Sequence, residues 1–247
     1  MRYLILSDIH ANLSALRAVL RSVRRQRIER VVVLGDLVGY GAEPNPTVAI
    51  VRQLKGLSIV RGNHDKVCCG LESGEAFNRI AFASAQWTQE NLTPSHLNWL
   101  KELPEGPRDV DGEFLISHGT PLDEDAYIFG EIEALNSFQY FDAPICFFGH
   151  SHFPVVFSLN EESLTTRIPN PRKRLRMRLV AEARYLINPG SVGQPRDGDN
   201  RASFAIFDSD QRSVAIHRVR YSYQRTQQKI ARAGLPAPLA ERLAVGR

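Results

Sequence analysis

Five apolar runs in this chain each end in a short polar cluster, and that repetition constrains the fold more than any other feature. "RYLILSD" (2–8), "RVVVLGD" (30–36), "LSIVRGNHD" (57–65), "EFLISHGT" (113–120) and "PICFFGH" (144–150) read as buried strands. Helical patterns separate the first of them. Residues 12–26 place Leu13, Leu16, Leu20 and Val23 on one face, and 47–54 follows Pro44 and Pro46. A more helical stretch covers roughly 75–102, where "TPSHLNWLKEL" (93–103) opens with a capping Thr and a Pro at the first helical position.

After residue 152 the chain turns β-rich. "FPVVFSLN", "RLRMRLV", "RYLINPGS", "SFAIFD" and "SVAIHRV" are short strand candidates with turn residues between them, and a helical tail begins at about 222. The pattern predicts an α/β fold, a four-layer sandwich of two mixed β-sheets flanked by helices. Parallel strands are expected in the first half and a second, more antiparallel sheet after it. One domain spanning 1–247 is the expected organisation.

Composition excludes several classes. The charged fraction is 23% and the hydrophobic fraction 43%, ordinary values for a globular chain able to bury its own core. A net charge of +4 favours an anionic substrate but is weak support for nucleic-acid binding. Three cysteines, Cys68, Cys69 and Cys146, form no framework and point to a reducing compartment. The apolar start "MRYLIL" is too short for a signal peptide and no run approaches a membrane span, so a cytoplasmic location is expected.

The strand ends carry Asp8 and His10, then Asp36, then Asn63 and His64, then His118, then His150 and His152. Five of the seven histidines fall there, mostly beside glycine. In open α/β sheets ligands bind beyond the carboxyl ends of strands. His, Asp and Asn make a mixed nitrogen and oxygen donor set without thiolate, which suits several divalent metals. Seven donors exceed one tetrahedral ion and suit two ions sharing a carboxylate, roughly 3.5–4 Å apart. Residues i and i+2 of an extended segment face the same way, so His150 and His152 are expected to share one pocket, with Gly149 leaving room for substrate.

"SDIH" (7–10), "LGDLVGYG" (34–41), "RGNHD" (61–65), "SHGT" (117–120) and "GHSH" (149–152) together resemble, in order and spacing, the motifs of the calcineurin-like metallophosphoesterase superfamily. "INPGSVGQPRDG" (187–198) resembles the following stretch in its small bacterial and archaeal phosphodiesterase-like members. The resemblance implies a first metal held by Asp8, His10, Asp36 and His152, and a second held by Asp36, Asn63, His118 and His150. It implies a nucleophilic hydroxide shared by the ions and attacking phosphorus in line, with His64 stabilising charge or protonating the leaving oxygen. Two divalent ions are implied, Mn2+ first, with Fe, Ni, Zn or Co as alternatives.

The protein phosphatases of that superfamily carry Asp-Arg in the second motif. Here Gly39 and Tyr40 stand at those positions, so protein phosphatase activity is not expected and His64 lacks its usual partner. Asn12 is read as a helix cap, a substrate contact, or both. Arg196 is read either as a phosphate-binding cation or as a turn residue paired with Asp197 or Asp199. The basic stretch 172–180 alternates at period two, as on an edge strand protected by cations, the alternative being a basic rim that steers anions. The expected partner is a small anionic phosphoester, with no clear nucleic-acid site and no membrane; a homo-oligomer is left open. Rival functions are a dinucleoside polyphosphate or nucleotide pyrophosphohydrolase and a catalytically weak metal-binding scaffold.

Overall fold

A computed structural model describes residues 1–161, 163–170 and 175–247. The first run forms β1 (Arg2–Leu6), which pairs in parallel with β2 (Arg30–Val33), and β2 pairs in parallel with β3 (Leu57–Ile59). On its other side β1 takes β11 (Ala202–Asp208), then β12 (Ser213–Val219), then β9 (Leu175–Arg178), all antiparallel. The second sheet runs in the order β4 (Arg108–Val110), β5 (Phe114–Ile116), β6 (Ile145–Phe147), β10 (Arg184–Asn188), β7 (Val155–Leu159) and β8 (Leu164–Arg167). Its β5–β6 and β6–β10 pairs are parallel and the rest antiparallel.

Side-chain alternation builds the layers. Tyr3 and Ile5 face the second sheet, where they bury against Phe114, Phe147 and Ile187. Leu4 and Leu6 face the other way, onto Leu16 and Val19 of α1 (Leu13–Ser22). The outer face of the second sheet, Cys146, Phe157 and Leu186, is covered by Ala134 of α6 (Glu131–Ser137) and by Phe138. The result is helix, sheet, sheet, helix. Tyr3, Phe114, Phe147 and Phe207 form an edge-to-face cluster between the sheets, with Phe114 and Phe147 centroids 5.1 Å apart. Each buried side chain of this size contributes about 1.5–3 kcal/mol.

The expected division into an early parallel sheet and a late antiparallel one does not occur. Each sheet mixes parallel pairs (β1–β2–β3 in one, β5–β6–β10 in the other) with antiparallel ones, because β11 returns antiparallel to the free edge of β1 and β10 returns parallel to that of β6. The run 57–65 ends as strand at Ile59. Asn63 opens α3 (Asn63–Cys69), because the Asp65 carboxylate accepts the Gly62 N–H at 3.0 Å and caps a helix there. Helix α1 stops at Ser22, four residues short of expectation. β4, β8 and α6 were too short to register as periodic segments.

The helices α2 (Pro44–Arg52), α4 (Arg79–Asn91) and α5 (Pro94–Lys101) follow the pattern, with Thr93 capping α5. The tail forms α7 (Tyr223–Arg232) and α8 (Ala237–Val245). The basic edge strand is β9, with Leu175 and Met177 half-buried and Arg176 and Arg178 exposed. Arg172, Lys173 and Arg174 of that stretch lie outside the described residues. Among the described residues no helix is long and apolar enough to cross a membrane.

All three cysteines are free and buried, and burial pushes the Cys146 thiol up to about 12. Unreactive thiols follow, because the thiolate is the reactive form. Ellman's reagent is expected to label no thiol in native protein over minutes and three after denaturation; rapid labelling of the native chain would contradict this packing.

Candidate metal centre

The ends of β1, β2 and β6 turn sharply, and polar residues sit at the turns. Asp8, His10, Asp36, His150 and His152 have φ between 48° and 65°. The left-handed region is uncommon for residues with a Cβ, and it costs of order 1–3 kcal/mol where the surroundings impose it. The surroundings here are backbone ladders. His10 and Ala11 donate to the carbonyls of Asp36 and Leu37 at 2.9 and 2.8 Å, and Gly193 donates to the Asp8 carbonyl at 2.9 Å. Asp65 clasps the second motif to α3, accepting the Leu37 and Val38 N–H groups at 2.8 and 3.2 Å. Gly62 has no room for a Cβ, which would lie 2.2 Å from Asp36 Oδ1.

The turns converge. Ligand atoms of Asp8, His10, Asp36 and His152 lie within 4.8 Å of one another, and so do those of Asp36, His118 and His150. Asp36 belongs to both groups, with Oδ2 3.5 Å from His10 Nε2 and Oδ1 3.6 Å from His118 Nε2. Asn63 joins the second, its Oδ1 3.2 Å from His118 Nε2. The "GHSH" pair is not extended. With both histidines left-handed, His152 turns to Asp8 and His10 while His150 turns to His118. Gly149 is needed for packing rather than for substrate, since a Cβ there would meet Ser7 Oγ at 2.0 Å.

Each of these four imidazoles has one ring nitrogen on a backbone carbonyl: His10 Nδ1 on Val38 (3.1 Å), His118 Nδ1 on Leu34 (2.7 Å), His152 Nδ1 on Gln194 (2.6 Å), His150 Nε2 on Asp125 (3.0 Å). A carbonyl only accepts, so that nitrogen carries the proton and the other presents a lone pair. Burial lowers His10, His150 and His152, His150 to about 2, so these rings stay neutral. His10 Nε2 and His152 Nε2 therefore meet at 3.2 Å with two lone pairs and no proton between them. Beside them both oxygens of Asp8 are buried with no hydrogen-bond donor among the described residues. Burial raises Asp8 to about 7, and burial together with the nearby Asp65 raises Asp36. Lone pairs and carboxylates packed this way make a nitrogen and oxygen donor set that fits divalent metal.

The remaining expected residues divide. His64 lies beside the first group, its ring 5.0 Å from that of His10 and between Tyr40 (4.3 Å) and Phe77 (4.5 Å). Burial keeps it neutral, and its Nδ1 has no partner among the described residues. Gly39 packs against that nitrogen where the phosphatases place an aspartate. Asn12 is a cap and a clasp, not a free substrate contact. Its Oδ1 accepts from Ala15 N and Thr226 Oγ1, and its amide donates to the Gly193 carbonyl and Tyr221. Arg196 is not the turn residue paired with its neighbours. Asp197 pairs with Arg218 and Asp199 with Arg201, leaving Arg196 on Gln194 Oε1 (3.3 Å) and near Tyr40 Oη (3.5 Å).

Residues 1–212 match the family model of the calcineurin-like phosphoesterase superfamily domain. The chain belongs to this superfamily. An uncharacterized protein of Methanocaldococcus jannaschii is 40% identical over 247 residues, covering 98% of this chain and 97% of the relative. A metallophosphoesterase of Sphaerobacter thermophilus superposes with a TM-score of 0.87 at 42% identity, covering 100% of this chain and 99% of that one. A hypothetical protein of Pyrococcus horikoshii, 17% identical, shares the fold with a TM-score of 0.79, covering 100% and 98%. The superfamily implies divalent metals, in agreement with the donor set.

Sequence reasoning missed the four backbone carbonyls that orient the rings, the clasp made by Asp65, and Tyr127, whose ring stacks on His150 at 3.7 Å. Asp65 stood inside a quoted motif; Tyr127, in a loop without periodicity, carried no signal. Divalent ions at about a hundred times their Kd are expected to raise the Tm of chelator-stripped protein by roughly 5–10 °C, read by calorimetry. An unchanged Tm would contradict a metal-binding cluster.

Proposed function

We propose that this chain is a metal-dependent phosphoesterase that hydrolyses phosphodiester or phosphomonoester bonds at a dinuclear centre. The observation that carries the reading is the His10–His152 Nε2 pair at 3.2 Å beside the buried Asp8 carboxylate, which has no donor among the described residues, joined through Asp36 to a second donor group. Asp8, His10, Asp36 and His152 would hold one ion, and Asp36, Asn63, His118 and His150 the other. When bound, two divalent ions, Mn2+ before Fe, Ni, Zn or Co, supply Lewis-acid activation of water and neutralise charge on phosphoryl oxygens.

The protein's own groups do the rest. The carbonyl-anchored imidazoles need no reorganisation to receive the ions, and Asp36 holds the two groups in fixed relation. The neutral His64 ring retains one N–H, available to the leaving oxygen or to charge developing on phosphorus. Arg196 is free of carboxylates among the described residues and supplies a cation for the non-bridging oxygens. It takes the place of the arginine that the second motif lacks.

Asp36→Asn and His118→Ala are each expected to bring metal-dependent hydrolysis of bis-p-nitrophenyl phosphate to background; near-native turnover in either would overturn the site. His64→Gln should lower kcat by about 10²–10⁴-fold while metal content, read by mass spectrometry, stays at two ions per chain. Loss of metal in that variant would make His64 a ligand instead.

A further inference from the structure

The family model ends at residue 212, yet the chain's last helices pack onto the candidate centre. Tyr40, Ile230, Leu235, Leu239 and Leu243 share one apolar cluster. Thr226 binds Asn12, Lys229 pairs with Glu43, and the Gly198 N–H donates to the Gly246 carbonyl at 2.9 Å. This docking brings Arg242 of α8 to the Tyr40 ring, its guanidinium carbon 5.8 Å from the centroid, where that of Arg196 lies 6.0 Å away. Arg242 Nη1 and Arg196 Nη2 both donate to the single Oε1 of Gln194, at 3.2 and 3.3 Å.

Two cations thus share one neutral acceptor, half-buried, and neither has a carboxylate partner among the described residues. Three acids around the pair are engaged elsewhere, Asp197 with Arg218, Asp199 with Arg201 and Glu43 with Lys229, while Asp8 and Asp36, whose charges also act on Arg196, belong to the donor groups. Like charges held together without a counter-ion are costly, and guanidinium forks match phosphoryl oxygens. Tyr40 ties the pair to the centre, since its ring also lies 4.6 Å from that of His10 and 4.3 Å from that of His64.

We propose that Arg196 and Arg242 form a two-cation clamp, and that the substrate is a phosphoester carrying a second phosphoryl group beside the one attacked. The clamp deepens the phosphoesterase reading and rests on it for the position of the attacked phosphorus. Arg196 would meet the reacting phosphoryl group and Arg242 the second one. A monoanionic diester would leave Arg242 without an anion. The tail would then act as a specificity element laid over the family's common chemistry.

Calorimetric titration of the full chain, with and without divalent ions, tests this with methylenediphosphonate, whose P–C–P bridge resists cleavage, and methylphosphonate. Wild-type protein should prefer the two-phosphonate ligand, and Arg242→Gln should reduce that preference by about tenfold or more. Arg242→Lys should recover part of it, and circular dichroism would show that both variants fold. An unchanged preference in Arg242→Gln, or no preference in wild type, would overturn the clamp. If methylenediphosphonate binding depends on Arg242 but no metal restores hydrolysis of any phosphoester, the clamp stands and the catalytic reading falls. If bis-p-nitrophenyl phosphate is hydrolysed and the preference ignores Arg242, the clamp falls alone.

Discussion

Two imidazole nitrogens, on His10 and His152, face each other at 3.2 Å without a proton between them, and the centre is arranged around that contact. Each ring is forced into that state by a carbonyl on its far side, Val38 for His10 and Gln194 for His152. Those carbonyls come from different parts of the chain, one after β2 and one after β10. The electrostatic demand at the centre is therefore written into the way the two sheets meet. Lone pairs and buried carboxylates are thereby held facing one another, an arrangement that a bound cation would stabilise.

The fold tolerates this because rigid strands lie on one side and backbone ladders on the other. Left-handed residues at Asp8, His10, Asp36, His150 and His152 concentrate strain at the site. The ladder from 8–11 to 35–37, the Asp65 clasp and the Gly193 contact hold those turns in place. The aromatic cluster between the sheets keeps β1 and β6 at fixed separation, so that the two donor groups stay in register around Asp36. Strain near the chemistry and burial behind it are parts of one arrangement.

The strand ends are legible in the sequence because buried strands have a compositional mark and the chemistry sits at fixed offsets beyond them. Asp8, Asp36, His118 and His152 are found that way. Sheet assembly is not legible in the same sense: β11 pairs with β1 across the length of the chain, Arg2 opposite Asp208, which no local pattern records. Backbone conformation at "GHSH" is also hidden, since period-two reasoning assumes extension and the segment is left-handed twice. Arg196 illustrates a third limit. Its neighbours Asp197 and Asp199 look like partners in sequence, and only the fold shows that Arg218 and Arg201 claim them. Arg242 sits in an amphipathic tail helix where an arginine reads as solvent-facing.

That each of the two donor groups sharing Asp36 holds a divalent ion is an expectation open to direct measurement. Anomalous diffraction from Mn2+-loaded crystals tests it most directly. Two peaks per chain are expected, one bounded by Asp8, His10 and His152 and one by Asn63, His118 and His150, with Asp36 touching both. A single peak, or peaks remote from Asp36, would contradict it.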